Sequence, residues 1–192
     1  MLKSRLCIAF FAFAVGCAPA QKPLTDYVNP MLGTATLWDS VDLGFKPTKR
    51  TWGAEVFPGS SLPNAMVQVS PVTKFHSGAG YQYEDSVIYG FTHTNKGHWN
   101  LCHIPLLPVT GTPTPGDYCS PFSHERESAA PGYYQVFLDR YGVDAQLSST
   151  LRCAFHKYTY PAGAAASLLA DLQRSNEHVR AWDIRCLLYT SQ

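Results

Sequence analysis

The chain has 192 residues, a formal net charge of +1 and hydrophobic residues at 45% of positions. This length suits one domain of ordinary size, and the near-zero charge argues against nucleic acid or an anionic membrane surface as a partner. Beyond residue 20 no apolar run approaches the roughly 20 residues that a membrane-spanning helix needs, so we expect no span.

The first 20 residues have the pattern of a secretory signal peptide. Lys3 and Arg5 precede the apolar run Leu6–Val15, and two cleavage sites compete. Ala18–Ala20 fits the small-x-small rule of ordinary signal peptidase, whereas Ala14–Cys17 resembles a bacterial lipobox whose cysteine becomes lipidated and tethers the protein to a membrane. We expect an exported protein: periplasmic, anchored to the outer membrane of a Gram-negative bacterium as a lipoprotein, or secreted.

Four cysteines follow the leader, at positions 102, 119, 153 and 186. Export permits disulfides, but no CxxC pair occurs and the spacings are irregular. Neither a zinc site nor a dense disulfide framework is indicated. We expect buried thiols, with a bridge between Cys102 and Cys119 as the alternative.

Proline and glycine punctuate the mature chain at short intervals, which leaves little room for a long helix. Between them lie short segments rich in Val, Tyr, Phe and Thr. The predicted strands are Ala65–Ser70, Val87–Thr92, Ile104–Thr110, Tyr133–Leu138, Val143–Leu147, Leu151–Phe155, Lys157–Tyr160 and Ala166–Leu172. Many short strands with turn signals predict an all-β fold, an antiparallel β-sandwich. From Tyr133 to Leu172 we expect a meander with a tight turn at Arg140–Gly142.

The most informative loop runs from His93 to His103 and combines His, Asn, Lys and Trp side chains. An indole covers the C–H face of a pyranose, and amide, imidazole and ammonium groups bond its hydroxyls. His98, Trp99 and Asn100 are the first candidates for sugar contact. Asn95 and His93 are the second. The alternative is that Trp99 caps a core and that the histidines only satisfy backbone groups.

Other polar clusters carry weaker signals. Adjacent residues on a strand point to opposite faces, so Glu84 and Asp85 are poorly placed to act together as acid and base. Glu125 and Glu127 share a face but carry no further catalytic signal. The five-residue spacing of His93, His98 and His103 fits no zinc motif, so we expect no metal site in this chain.

Several blocks in order, spanning roughly Asp26 to Leu172, resemble the N-terminal domain of glycoside hydrolase family 92, the exo-acting, calcium-dependent α-mannosidases. The blocks are Val28–Thr34, Phe57–Pro63 with Met66–Pro71, Gly80–Tyr81 with Ile88–Thr94, Ser120–Glu125 with Pro131–Tyr134, and Phe155–Pro161. The resemblance implies a β-sandwich followed by an (α/α)6 barrel that is missing from this chain.

The resemblance also implies where the chemistry lies. In this family the two catalytic carboxylates of an inverting glycosidase and most of the calcium ligands come from the barrel, so no catalytic residue is assigned here. The sandwich contributes loops to one wall of the sugar pocket. The Phe57–Gly59 turn lies beside the active site in the family, which adds Trp52 as a second aromatic wall and Glu55 as an acceptor from a sugar hydroxyl.

We therefore expect a leader at 1–20, a sandwich domain over 24–175 and a tail of uncertain origin at 176–192, as in a truncated reading frame. The expected function is the non-catalytic N-terminal part of an inverting exo-α-mannosidase that releases mannose from glycans, its partners being these glycans and the missing barrel. The first alternative is a non-catalytic carbohydrate-binding surface lipoprotein. A secreted structural module without a ligand is the second.

Overall fold

The structure, a computed structural model, describes residues 22–37, 44–46, 54–96, 99–114 and 116–185. Its strands are β1 (Ser60–Ser61), β2 (Gln68–Val72), β3 (Val87–Ile88), β4 (Gly90–Thr92), β5 (Asn95–Lys96), β6 (Trp99–Asn100), β7 (Leu106–Thr110), β8 (Ser120–Pro121), β9 (Glu127–Ala130), β10 (Tyr133–Leu138), β11 (Val143–Ser149), β12 (Ala154–Thr159) and β13 (Ala166–Ala170). Two single 3-10 turns, Leu24–Tyr27 and His124–Arg126, complete the described elements. None of the described helical turns is long and apolar enough to cross a membrane.

The strands form two main antiparallel sheets. One has the order β1-β2-β4-β7-β13 and the other β12-β11-β10-β9, while β3 pairs with β8 and β5 with β6. Buried side chains of both main sheets belong to one hydrophobic cluster, which includes Val69 and Phe91 from the first sheet and Val136 and Val143 from the second. The expected all-β antiparallel sandwich is confirmed.

Strand alternation explains how the second sheet closes the core. In β10 the side chains of Tyr134, Val136 and Leu138 are buried, and the residues between them are only half-buried. In β11, Val143 pairs with Leu138 and is itself fully buried. Each such apolar side chain contributes about 1.5–3 kcal/mol when it leaves water.

The predicted tight turn at Arg140–Gly142 is present between β10 and β11. Gly142 takes a φ of 65° there, and its N–H donates to the carbonyl of Leu138.

Three expectations from the sequence are wrong in this region. The segments Leu151–Phe155 and Lys157–Tyr160 are not two strands, because β12 runs without interruption through His156 and pairs with β11 along its whole length. The strand β13 also leaves the meander and pairs with β7 of the other sheet. The meander instead begins one strand earlier, with β9, which carries small and charged residues and so lacks an apolar signature.

The described thiols are free, so the bridge between Cys102 and Cys119 does not form here. Cys102 is buried as expected, whereas Cys119 is half-buried and Cys153 is exposed. Burial raises the pKa of the Cys102 thiol to about 12. Cys186 lies outside the described residues.

Candidate functional site

The loop between His93 and His103 contains a short hairpin made of β5 and β6. Asn95 pairs with Asn100 and Lys96 pairs with Trp99. Successive side chains of a strand point to opposite sides. Accordingly, Trp99 is half-buried while Asn100 is only 4% exposed. Two adjacent residues that were both predicted to contact sugar therefore have different surroundings.

Asn100 is engaged within the protein. Its Oδ1 accepts from the Cys102 backbone N–H at 2.8 Å and from the Thr92 hydroxyl at 3.2 Å, and its Nδ2 donates to the Ala79 carbonyl at 3.3 Å. Its backbone N–H donates to the Gly78 carbonyl at 2.8 Å. Asn100 thus holds the segment that carries Trp99 against the neighbouring loop 74–80.

Trp99 lines a cavity of about 350 Å³, and Glu55 lines it as well. Cavities of a few hundred Å³ are typical of small-ligand sites. Further lining comes from Lys74 and His76 of loop 74–80 and from Tyr81. Of the predicted sugar contacts, the structure brings Glu55 and Trp99 together around one cavity.

The backbone at Glu55 has an unusual conformation. Its φ is 51°, in the left-handed region, which costs a residue with a side chain roughly 1–2 kcal/mol. His76, which lines the same cavity, has a φ of 57°. Such conformations cluster at functional sites. A Cβ at Gly78 would lie 2.5 Å from the Glu55 carboxylate, so the position of this carboxylate requires glycine at 78.

Behind the cavity lies a sealed polar cluster around Glu127. Its side chain is 0% exposed, and its carboxylate accepts from the hydroxyls of Tyr81 at 2.9 Å and Tyr134 at 2.6 Å. His124 Nδ1 lies 2.5 Å from the same carboxylate, and His124 Nε2 lies 2.7 Å from the Tyr83 carbonyl oxygen. Burial, reinforced by the carboxylate, raises the pKa of both hydroxyls of the cluster above the ordinary tyrosine value. Through Tyr81 the cluster supports one wall of the cavity.

His93 faces the second sheet. Its Nε2 lies 2.7 Å from Nε2 of His156 on β12, and His156 Nδ1 lies 2.6 Å from the hydroxyl of Tyr158. Burial lowers the pKa of His93, and burial together with the neighbouring imidazole lowers the pKa of His156 to about 4. The pair therefore ties the start of the hairpin segment to β12 with both rings neutral.

The remaining predicted residues are only partly described. Trp52 and His98 lie outside the described residues, and for Asn95 the structure describes the backbone within β5. Sugar contact by any of the predicted residues stays a prediction. Of the carboxylates set aside as catalytic pairs, Glu127 is sealed whereas Glu125 is exposed, so these two do not face a common site.

Asn176 lies in the expected tail at 176–192, yet its side chain is part of the framework of the site. Asn176 Oδ1 accepts from the His76 N–H at 2.5 Å, and Nδ2 donates to the Asn100 carbonyl at 2.5 Å and to the Ser77 carbonyl at 3.4 Å. Its backbone N–H donates to the Leu101 carbonyl at 2.9 Å. One amide thus fastens loop 74–80 to the segment that carries Trp99. No local pattern marks it, because the neighbouring residues are also polar.

Comparisons with known proteins agree with this architecture. Residues 27–187 match the model of the glycosyl hydrolase family 92 N-terminal domain. The family GH92 alpha-mannosidase BT3965 from Bacteroides thetaiotaomicron superposes with a TM-score of 0.67 at 31% identity, covering 81% of this chain and 21% of that one. Its complex with mannoimidazole gives a TM-score of 0.64 at 31% identity, covering 80% and 20%.

A second relative is similar at the same level. The family GH92 inverting mannosidase BT2199 from Bacteroides thetaiotaomicron VPI-5482 gives a TM-score of 0.62 at 27% identity, with 79% of this chain and 20% of that chain covered. The chain therefore spans about a fifth of the length of these structures. A search of curated proteins gives no significant match.

Proposed function

The chain belongs to glycosyl hydrolase family 92, whose N-terminal domain it matches over residues 27–187, and from this premise we propose that it forms one wall of the mannose-binding cleft of an exo-acting α-mannosidase. The observation that carries the proposal is the meeting of Glu55 and Trp99 around one cavity. A relative has been solved with mannoimidazole bound, which supports a sugar-like occupant for the complete cleft.

The cavity offers complementary groups for a pyranose. The indole of Trp99 presents an apolar face to the C–H side of the ring. The Glu55 carboxylate accepts from a hydroxyl, and the Lys74 ammonium at the rim donates to another. Gly78 leaves the space that a side chain would take from Glu55. These residues bind and orient the sugar; none of them is assigned to the bond-breaking step.

The chemistry requires the rest of the enzyme. Inversion needs a general acid and a general base about 6.5–9.5 Å apart, with room for a water between the base and the sugar. Among the described residues that line the cavity, Glu55 alone carries a carboxylate. We therefore place the catalytic pair in the part of the relatives that this chain does not span, and expect the fragment alone to be inactive.

The family resemblance implies calcium, and the described residues do not fit a calcium site. No group of three or more His, Cys, Asp or Glu side chains in the described part of the chain is arranged to hold an ion, whereas Ca²⁺ takes about six to eight oxygen ligands. The proposal places these ligands in the remainder of the enzyme and derives no step through the ion.

We also propose that the protein is exported. The positive residues Lys3 and Arg5 before the apolar run Leu6–Val15 support it, because this order is that of a signal peptide. Lipidation of Cys17 and ordinary cleavage after Ala20 remain the two alternatives. A mass measurement of the mature N-terminus distinguishes them, since an acylated cysteine carries the added mass of its lipid.

The test of the proposal is titration of the chain with methyl α-mannoside, with Trp99→Ala as the variant and Trp182→Ala as the matched control. Trp182 is 59% exposed and does not line the cavity. We expect binding by the wild type and the control, and a loss of at least about tenfold in Trp99→Ala, since that corresponds to 1.4 kcal/mol of lost stacking. Equal affinities of the two variants, or hydrolysis of aryl mannosides by the chain alone, would refute it.

A further inference from the structure

The strand β13 forms one open edge of the five-stranded sheet. It stands last in the order β1-β2-β4-β7-β13, and its strand partner among the described residues is β7. Every residue of β13 except Leu169 is exposed, and Leu168 is 53% exposed. An exposed edge of this kind offers its outward backbone N–H and C=O groups to a further strand.

Two hydrogen bonds at the ends of the β13–β7 ladder show which backbone groups of β13 point outward. Gly111 N–H donates to the Ala165 carbonyl at 2.8 Å, and Asp171 N–H donates to the Pro105 carbonyl at 3.0 Å. Because hydrogen-bonded and non-hydrogen-bonded pairs alternate in an antiparallel ladder, the odd-numbered residues of β13 bond to β7. The even-numbered residues therefore direct their N–H and C=O groups to the open edge. They are Ala166, Leu168 and Ala170.

The other described edges of the two main sheets carry features that prevent strand pairing. The strand β1 has two residues, β9 begins with the fully buried charge of Glu127, and β12 carries the exposed Lys157. Very short strands, inward-pointing charges and edge lysines all disfavour association between edges. The strand β13, with the sequence ASLLA, has no charged residue and no proline. It is therefore the described edge that is best suited to pairing.

We propose that two copies of this chain associate through β13, which pairs antiparallel with itself about a two-fold axis at Leu168. In this register Leu168 lies opposite Leu168 of the second copy, and Ala166 lies opposite Ala170. The outward groups of the two strands then exchange about six hydrogen bonds. The outward-facing residues read Ala, Leu, Ala in both directions, and a patch that complements itself in this way is what a two-fold interface requires. A second copy is therefore the occupant that fits this edge.

Charge agrees with this pairing, and area sets its strength. The charged residues that follow the strand, Asp171 and Arg174, lie opposite Ala165 and Ala162 of the second copy, so like charges do not face each other. The net charge of +1 adds little repulsion between copies. Pairing of two short strands buries less than the roughly 1,200 Å² at which stable interfaces begin. The dimer should therefore be weak and depend on protein concentration. It does not depend on mannose binding.

Sedimentation equilibrium of the chain over about a hundredfold range of concentration tests the proposal, and we expect a reversible monomer–dimer equilibrium. Leu168→Lys places two like charges at the axis and should raise the Kd for dimerisation at least about tenfold, and Leu168→Glu should do the same. An equimolar mixture of these two variants should form a heterodimer, because the axis brings the two introduced charges of opposite sign face to face.

The matched control is Leu151→Lys, since Leu151 is 54% exposed and lies outside the strands. It should leave the Kd unchanged. Hydrogen exchange of the wild type needs no substitution, and the amides of Ala166, Leu168 and Ala170 should become protected as the concentration rises. A wild type that stays monomeric, equal effects of Leu168→Lys and Leu151→Lys, or a mixture of the two Leu168 variants that does not associate would overturn the proposal.

Discussion

Two neighbouring regions of this domain use the same residue types in opposite ways. In the sealed cluster, the Glu127 carboxylate is 0% exposed and receives hydrogen bonds from two tyrosines and a histidine. In the cavity next to it, the Glu55 carboxylate and the Trp99 indole line a space of about 350 Å³. Tyr81 belongs to both regions, since its hydroxyl donates to the Glu127 carboxylate and Tyr81 also lines the cavity.

The difference shows how a buried carboxylate serves structure, and we propose that the cavity-facing carboxylate serves binding. Removing a charged group from water is costly unless all its hydrogen bonds are replaced, and Glu127 is surrounded by donors that do so. The cavity instead keeps its polar groups at a surface and takes up backbone strain at Glu55 and His76. A rigid cluster behind the cavity keeps this wall in place, as the sugar-binding role that we propose for it requires.

The largest effect that separates the two regions should come from Glu127→Ala. This change leaves two buried hydroxyls and one half-buried imidazole without their partner, and we expect a loss of about 3–5 kcal/mol in the free energy of unfolding. Urea denaturation followed by fluorescence measures it. Glu125→Ala, at an exposed position two residues away, should change stability by less than about 0.5 kcal/mol. Similar losses in both variants would contradict the supporting role of the cluster.

The next largest effect concerns the Asn176 clamp, the hydrogen bonds by which this side chain ties loop 74–80 to the segment that carries Trp99. Asn176→Ala removes side-chain hydrogen bonds to loop 74–80 and to the Asn100 carbonyl. We expect a stability loss of roughly 1–3 kcal/mol together with weaker mannoside binding, because both loops line the cavity. Glu177→Ala is the matched control, since Glu177 is exposed and its hydrogen bonds with the Ser175 hydroxyl use its backbone N–H and carbonyl. A stable Asn176→Ala variant with unchanged affinity would show that the clamp does not shape the site.

Gly78→Ala tests the cavity without touching the sealed cluster. The new Cβ would overlap the Glu55 carboxylate, which is the flexible end of a side chain and moves aside at little cost in stability. We expect mannoside affinity to fall about tenfold, close to 1.4 kcal/mol, while the denaturation midpoint stays nearly constant. Glu55→Gln, which keeps the shape and removes the charge, indicates how much of that loss is due to the carboxylate. An affinity unaffected by both substitutions would exclude Glu55 from binding.

The smallest effect is the pH dependence of the histidine pair. The pKa of His156 is lowered to about 4 in the folded protein, so the unfolded chain binds more protons below pH 6.5, the ordinary histidine value. The stability contribution is present above that pH and is lost as the pH falls toward 4. Since the ring is partly exposed, we expect a loss of about 1 kcal/mol. Denaturation at pH 7 and pH 4.5 should show a smaller difference in His156→Gln than in the wild type; an equal difference would contradict this assignment.

The sandwich is predictable from the sequence because its strongest strands carry alternating apolar residues, as in Tyr133–Leu138. The strand β9 is not predictable in this way, because its residues are small or charged. The partner of β13 is not predictable either, because it is set by long-range packing that a single sequence does not show. Likewise, the composition of the hairpin pointed to Trp99, but it offered no sign that Asn100 turns inward or that Asn176 closes the loops. Those roles depend on strand direction and on residues about a hundred positions apart in sequence.

The most direct test of the sugar cleft is a titration of the ¹⁵N-labelled chain with methyl α-mannoside, followed through the indole N–H signals. Trp99→Phe and Trp182→Phe assign the two signals of interest. If Glu55 and Trp99 form the cleft wall, the Trp99 signal shifts with saturation and the Trp182 signal does not, and Glu55→Gln weakens the shift. A mannoside that leaves the Trp99 signal in place while binding elsewhere would contradict the account.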